Sequence, residues 1–146
     1  MRELLTVPDP RLRQESKPVD EINSQVVDIA AFLLSQLQPL EAVGLAAPQF
    51  GEMIRIIVFR RDYLTKVVLI NPEIIKEKGS QLSEEGCKSI PGKVYLVIRP
   101  SVIKIRGLNL SGERITIRAH DLLARVLKHE MDHLDGVLID SIGEPI

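Results

Sequence analysis

The sequence predicts a single α+β domain spanning residues 1–146, with an N-terminal helix, a largely antiparallel β-sheet region and a C-terminal core helix. Three observations support this class. Apolar residues recur at helical spacing near both ends, short β-type runs separated by turn residues fill the middle, and no repeat or linker divides the chain. The length suits one compact unit with a core of its own.

The first predicted element is an amphipathic helix from Asp20 to Gln38, which Pro39 ends. Its apolar residues recur every three or four positions, as one buried helix face requires. They are Ile22, Val26, Ile29, Ala30, Leu33, Leu34 and Leu37. The following segment, EAVGLAAPQFG at residues 41–51, is small, apolar and bounded by glycine, and it predicts a buried, close-packed connection.

Short β-type runs follow between residues 54 and 119, separated by turn segments such as EKGS, IPGK and LSGE. The runs are IRIIVF (54–59), KVVLINP (66–72), VYLVI (94–98), SVIKIRG (101–107) and ERITIRA (113–119). These short runs and turns predict a largely antiparallel sheet.

Composition excludes several classes of function. The net charge is −1 and no long basic run occurs, which argues against a nucleic-acid substrate. One cysteine excludes an internal disulfide and fits a reducing compartment. Charges at Arg2, Glu3 and Asp9 argue against an export signal, and the apolar runs fall far below the ~20 residues that span a bilayer. We expect a cytoplasmic protein that does not enter a membrane.

The last predicted helix, from Asp121 to Asp135, ends at Gly136 and contains the sequence HEMDH. Its two histidines, His129 and His133, are four residues apart. This spacing places both imidazoles on one helix face, where they can reach the same metal ion. The third histidine, His120, precedes the helix and is interpreted as a helix-start or surface residue.

A helical wheel places both histidines on the apolar side of this helix. The residues within roughly 60° of one another are Leu122, Val126, His129 and His133, with Glu130 next to them. The opposite arc contains Asp121, Ala124, Arg125, Lys128, Asp132 and Asp135. A buried carboxylate between two imidazoles needs a metal or a charge partner. The alternative is a mixed core with hydrogen-bonded histidines and Glu130 paired to an arginine.

The only cysteine, Cys87, is the candidate third ligand, because a catalytic site of this type uses three protein ligands and leaves one position open. It lies in SEEGCKSIPG, where Gly86 and the turn at 90–92 would fix the thiolate. The alternative is a small buried apolar residue, which is the commoner fate of a free cysteine.

Three motifs together resemble those of the peptide deformylases: GLAAPQ at 44–49, EGCKS at 85–89 and HEMDHLDG at 129–136. Their order and spacing match as well. The likeness extends to DPRLR, INPE and Arg99-Pro100, and so covers nearly the whole chain. The resemblance implies hydrolysis of the N-formyl group from the first methionine of new polypeptides, with release of formate.

The resemblance also implies a role for each motif residue. Glu130 would accept a proton from water and deliver it to the departing amine. Gln49 and the backbone N–H of Lys88 would stabilise the oxyanion. One divalent metal per chain is implied, usually Fe²⁺ in the cell, with Zn²⁺, Ni²⁺ or Co²⁺ able to replace it. The implied metal ligands are Cys87, His129 and His133.

The resemblance implies that the substrate is a formyl-methionyl nascent peptide, which the protein would bind near the exit tunnel of the ribosome. Leu122 and Val126 lie beside the histidines on the wheel, so we expect them to line the methionine pocket. The backbone of Val43, Gly44 and Leu45 would pair with the peptide in the manner of a strand.

The sequence departs from the usual family motifs at Ala42, Lys88, Lys128 and Arg125. Lys88 replaces a leucine and places a cation near the metal site. Two alternative functions remain open at this point: an HExxH metallopeptidase that cuts internal bonds, and a degenerate family member that binds metal or a partner without turnover.

Glu85 and Arg99 have two interpretations. They form an ion pair that braces the cysteine segment, or they are two solvated surface charges.

Overall fold

The computed structural model describes residues 2–146 and confirms the predicted α+β class. Its helices are α1 (Ser24–Gln36), α2 (Asp121–Leu134) and α3 (Ile139–Ile142), with 3-10 turns at Pro10–Arg13 and Ala47–Phe50. Its strands are β1 (Gly44–Ala46), β2 (Ile56–Arg60), β3 (Lys66–Lys78), β4 (Gln81–Cys87), β5 (Ile90–Arg99), β6 (Val102–Leu108), β7 (Arg114–His120) and β8 (Glu144–Pro145). Within the described residues, no helix is both long and apolar enough to cross a membrane.

The strands form two sheets. Within each sheet, every pair of neighbouring strands is antiparallel, as predicted. One sheet has five strands in the order β1-β2-β3-β6-β7, and the other has three in the order β4-β5-β8. Strands β1 and β4 are therefore edge strands of different sheets.

Helix α1 begins four residues after the predicted start at Asp20, because Asn23 caps it: the Asn23 side chain accepts a hydrogen bond from the Val26 N–H at 3.0 Å. It ends at Gln36, two residues before the predicted end. The N–H of Leu37 turns back to the carbonyl of Leu34, which tightens the last turn.

Strand β2 lies between the edge strand β1 and β3 and is buried on both faces. Ile56 and Val58 pack with α1, whereas Ile57 and Phe59 pack in the core cluster that includes α2. A strand covered on both faces needs an unbroken apolar run, and residues 56–59 supply one. The two long helices thus lie on opposite faces of the five-stranded sheet.

Strand β4 was missed by the sequence prediction, which treated this part of the chain as a loop around the cysteine. Its buried positions are the polar Ser83 and Glu85, so the strand lacks the apolar alternation by which strands are recognised. Strands β1 and β8 were also missed, because they have only three and two residues.

The turn predicted from IPGK is wrong. Residues 90–93 begin β5, although Gly92 has a positive φ of 78°. Strand β3 similarly continues through part of the predicted EKGS turn, to Lys78, and Gly79 with φ 68° then reverses the chain.

Candidate metal centre

Helix α2 has two buried faces instead of the single apolar stripe predicted. One face packs against the five-stranded sheet and consists of Ala124, Leu127, Met131 and Leu134. Ala124 is fully buried there, so its predicted place on the exposed arc is wrong. The face with the histidines turns toward a cleft, where Leu122 remains 58% exposed.

The three predicted metal ligands come together at one end of this cleft. One ligand atom from each of Cys87, His129 and His133 lies within 4.8 Å of the other two. The Cys87 Sγ is 3.3 Å from the Nε2 of His133. Cys87 is the last residue of β4, whereas both histidines project from α2.

A carboxylate orients the first histidine. The Nδ1 of His129 is 2.8 Å from the Oε1 of Glu85, so Nε2 is the ring nitrogen that remains for an ion. Arg99 donates two hydrogen bonds to the same carboxylate, each 2.8 Å long. Glu85 is thus fixed from two sides.

Glu85 and Arg99 form a buried ion pair, so the interpretation as two solvated surface charges is wrong. Arg99 is only 2% exposed, and its remaining nitrogen donates to the Oδ2 of Asp132 at 2.5 Å. Asp132 was predicted on the exposed arc of the helix, yet it is largely buried by this contact. A buried guanidinium needs such partners, because an unpaired one is very costly.

The two histidines have opposite pKa shifts. For His133, burial and the charges of His129 and Arg99 lower the pKa well below its usual range, which keeps the ring neutral. For His129, burial opposes the charged form, but the hydrogen bonds with Cys87 and Glu85 outweigh it and raise the pKa to about 10. The pocket around His129 therefore favours positive charge.

Glu130 is buried beside the ligands, with 5% of its surface exposed. Burial raises its pKa to about 7, although the charges of His129 and Arg99 partly oppose this. Its Oε1 has no hydrogen-bond partner within residues 2–146, so the proposed pairing with an arginine is not found. The carboxylate is free to exchange a proton near neutral pH.

Gln49 is buried, and both ends of its side-chain amide are held by hydrogen bonds. Its Oε1 accepts a hydrogen bond from the Ala46 N–H at 2.9 Å, and its Nε2 donates to the Ser89 hydroxyl at 3.3 Å. The amide orientation is therefore fixed, with the donor end toward the segment that follows Cys87.

The cleft has a volume of about 660 Å³ and runs between the two edge strands β1 and β4. Four of the five predicted substrate residues line it: Val43, Gly44, Leu122 and Val126. The fifth, Leu45, buries its side chain in the core around α1 and does not line the cleft.

The sequence prediction missed the contribution of Arg125, which lines the cleft instead of facing away from it. Arg125 lies four residues before His129, on the adjacent turn of the same helix. That spacing was visible in the sequence, but the prediction assigned the charged Arg125 to the exposed side of the helix.

An α+β fold with a Cys-His-His donor set, an adjacent buried carboxylate and an open cleft defines a metal-dependent hydrolase. A sequence model described as "Polypeptide deformylase" matches residues 1–144. The chain belongs to this family.

Individual relatives are similar over almost the whole chain. The peptide deformylase of Alkaliphilus metalliredigens is 45% identical over 139 residues, which cover 94% of this chain and 93% of that protein. The peptide deformylase of Halothermothrix orenii is 44% identical, with 92% and 88% covered.

Solved structures agree with these relatives. A crystal structure of a peptide deformylase from Legionella pneumophila matches with a TM-score of 0.93 at 34% identity, covering 97% of this chain and 85% of that one. The structure of the Thermotoga maritima enzyme matches with a TM-score of 0.91 at 34% identity, with 97% of each chain covered. The metallopeptidase alternative is not favoured by these matches.

Proposed function

We propose that this chain hydrolyses the N-formyl group from the N-terminal formyl-methionine of newly synthesised polypeptides and releases formate. One observation carries the proposal. In a chain of the polypeptide deformylase family, the donor atoms of Cys87, His129 and His133 converge within 4.8 Å, beside the buried Glu130.

The residues present fit a divalent cation. A thiol and two imidazoles converge, one ring is kept neutral by burial, and the Nδ1 of the other is engaged by Glu85. We assign Cys87, His129 and His133 as the ligands of one ion per chain. When bound, such an ion supplies Lewis acidity to water and to the formyl oxygen. We propose Fe²⁺ in the cell, with Zn²⁺, Ni²⁺ or Co²⁺ as replacements, because these donor types accept all four.

Glu130 is the proposed general base and acid. It takes the proton of the attacking water and later gives it to the departing amine. A pKa of about 7 supports both steps, since such a carboxylate holds and releases a proton near neutral pH. Its burial also keeps bulk water from competing for that proton.

Gln49 and the backbone N–H of Lys88 are the proposed oxyanion donors. The formyl oxygen gains negative charge during attack, and fixed donors stabilise it without reorganising. The hydrogen bond from Ala46 to the Gln49 oxygen holds the amide nitrogen in its donor orientation. A neutral amide also adds no cation that would repel the metal.

The peptide is proposed to lie between β1 and β4, whose outer edges have no strand partner in the sheets described. The main chain of Val43, Gly44 and Leu45 would pair with it, and Leu122 and Val126 would enclose the methionine side chain. Main-chain pairing reads little sequence, which suits an enzyme that acts on many proteins.

The proposed setting follows from this substrate. Formyl-methionyl chains appear as they leave the ribosome, so we place the reaction in the cytoplasm, near the exit tunnel. We propose that residues 1–146 act as one catalytic domain. Because the chain has a net charge of −1, we propose neither a nucleic-acid substrate nor a membrane partner for it.

The decisive experiment compares two peptides that differ in one acyl group. The protein is purified without oxygen, loaded with Ni²⁺ or Fe²⁺, and assayed for formate from formyl-Met-Ala-Ser, while acetate is followed from acetyl-Met-Ala-Ser. We expect formate release and no acetate release. Absence of formate from the loaded protein would contradict the proposal. It would favour the alternative of a degenerate family member that binds metal or a partner without turnover.

A matched variant tests the role of Glu130. Glu130→Gln keeps the size of the side chain but cannot accept the proton, and we expect kcat to fall by about 10²- to 10⁴-fold. Metal content is measured on both proteins, so that loss of the ion is distinguished from loss of the base. An unchanged kcat at equal metal content would remove Glu130 from its role.

A further inference from the structure

Three cationic residues line the cleft on the side of the β4–β5 hairpin and α2: Lys88, Lys93 and Arg125. We call this set the cationic flank. Lys88 directly follows Cys87. Lys93 is on the returning strand β5, where its backbone oxygen lies 3.7 Å from the position that a Cβ on Gly86 would occupy. Arg125 belongs to the neighbouring turn of α2. A ligand in the cleft would therefore meet positive charge along this wall.

None of these three cations is neutralised by an ion pair within residues 2–146. Among the described residues, Arg125 has a buried donor that is not satisfied, because its Nε has no hydrogen-bond partner. A buried N–H without a partner costs free energy that an incoming acceptor recovers. A carboxylate is the best such acceptor for a guanidinium.

Four carboxylates also line the cleft, and they do not cancel the flank. Glu85 is engaged by Arg99 and His129, and Glu130 is buried beside the metal ligands. Glu41 precedes β1 on the opposite wall, which leaves Glu84 as the one exposed carboxylate of β4 in the lining. Among the residues that line the hairpin and α2 side of the cleft, three are cations and one is an exposed carboxylate.

We propose that the cationic flank selects formyl-methionyl peptides with an acidic side chain at the second or third residue. This inference rests on the proposed function and names the substrate class that the same cleft prefers. Lys88 and Arg125 are the specificity-determining residues. The ligand chemistry is a peptide carboxylate, bound by charge-assisted hydrogen bonds at the cleft wall.

The test compares kcat/KM for formyl-Met-Glu-Ser, formyl-Met-Gln-Ser and formyl-Met-Lys-Ser, with a second set that carries the variable residue in the third position. We expect glutamate to exceed lysine about three- to tenfold in one of the two sets at low salt, with glutamine between them. Added salt should compress the ratio, since these charges are partly exposed.

Variants assign the effect to the flank. Arg125→Gln should reduce the glutamate-to-lysine ratio, and Arg125→Glu and Lys88→Glu should bring it to one or reverse it. Arg118→Gln and Lys104→Glu are the matched controls, because they change the net charge equally on exposed positions of β7 and β6, outside the cleft. The controls should leave the ratio unchanged.

Two outcomes overturn the inference: equal kcat/KM for the three peptides, or a ratio that Arg118→Gln changes as much as Arg125→Gln. If no peptide loses its formyl group, the proposed function fails, and binding then decides the inference separately. In that case calorimetry of the intact protein with acetyl-Met-Glu-Ser and acetyl-Met-Lys-Ser measures the same preference, and equal affinities overturn it.

Discussion

Glu85 and His129 lie on different elements and are joined by a 2.8 Å contact between a carboxylate oxygen and the ring Nδ1. Because Arg99 donates to both oxygens of that carboxylate, the carboxylate is fixed and the hydrogen-bonded imidazole is oriented with it. The geometry of the candidate metal centre therefore depends on residues outside the proposed ligand set.

Replacing Glu85 by glutamine should weaken metal binding. The amide removes the charge that favours the imidazole in this orientation, and losses of partners of this kind typically cost about 10- to 100-fold in metal affinity. Competition with a coloured chelator measures the affinity directly. Glu84→Gln is the control, since Glu84 is exposed on the same strand and makes no contact with His129. Equal affinities for both variants would contradict the prediction.

Replacing Arg99 by methionine should destabilise the fold strongly. The change leaves Glu85 and Asp132 without their shared cation, and breaking a buried ion pair from one side costs about 3–5 kcal/mol. Urea unfolding with a chelator present measures this cost without a contribution from metal.

Arg106→Met is the comparison for the Arg99 variant. Arg106 pairs with Glu73 at 3.4 Å on the surface, and exposed pairs contribute about 0–1 kcal/mol. A free energy of unfolding that falls equally in both variants would show that the Arg99 cluster contributes no more than a surface pair.

Gly44→Ala should lower activity by displacing the carboxylate of Glu130, the proposed base. A Cβ at this position would meet Cγ and Oε2 of Glu130 and Cγ1 of Val126, all at 3.0 Å. We expect a decrease in kcat of at least about tenfold with little change in the melting transition. Gly86→Ala is the control, because its Cβ would meet only a backbone oxygen at 3.7 Å. Retention of full kcat by Gly44→Ala would show that Glu130 moves freely.

The pair of Arg13 and Asp140 should make a small, pH-dependent contribution to stability. The hydrogen bond from Arg13 lowers the pKa of Asp140 below 3.8, so the folded state prefers the ionised form. This contribution is complete above the unfolded pKa and is lost as pH falls through the lower folded value. Because Arg13 is about half exposed, we expect only about 0.2–1 kcal/mol.

Urea unfolding of wild type and Asp140→Asn at several pH values measures this contribution. The difference in free energy of unfolding should be present at pH 7 and should shrink as the pH falls below the unfolded pKa of the carboxyl and through its lower folded value. Asp28→Asn, on the exposed side of α1, serves as the control for removal of a charge without an ion pair. A difference that grows on acidification has the wrong sign and would contradict the prediction.

The fold class was predictable because its determinants are local. Residues 56–59 form an apolar run and α1 has regular apolar spacing, and each feature requires only the period of the element that contains it. Strand β4 was not predictable in this way. Its inward residue Glu85 is compensated by Arg99, fourteen positions away, and a local pattern cannot reveal such a partner.

In the candidate site too, the features that depend on local spacing were predictable and those that depend on distant partners were not. The spacing of His129 and His133 predicted that they share a face, the need for a third protein ligand pointed to Cys87, and the family resemblance implied the same set. The interpretation of the wheel failed for Arg125 and Asp132, since it took charge as a sign of exposure. Both side chains face other parts of the protein, one toward the cleft and the other toward Arg99.

The position of Cys87 at the end of β4 has a consequence for stability. Cys87 belongs to the three-stranded sheet, whereas both histidines belong to a helix that packs on the five-stranded sheet. One ion held by all three residues would cross-link the three-stranded sheet to helix α2. Separating these two parts of the fold would then require release of the ion. At a free metal concentration of 100 times the Kd, this linkage adds about 2.7 kcal/mol to the free energy of unfolding. Metal supply would then govern the equilibrium stability of the fold as well as the activity.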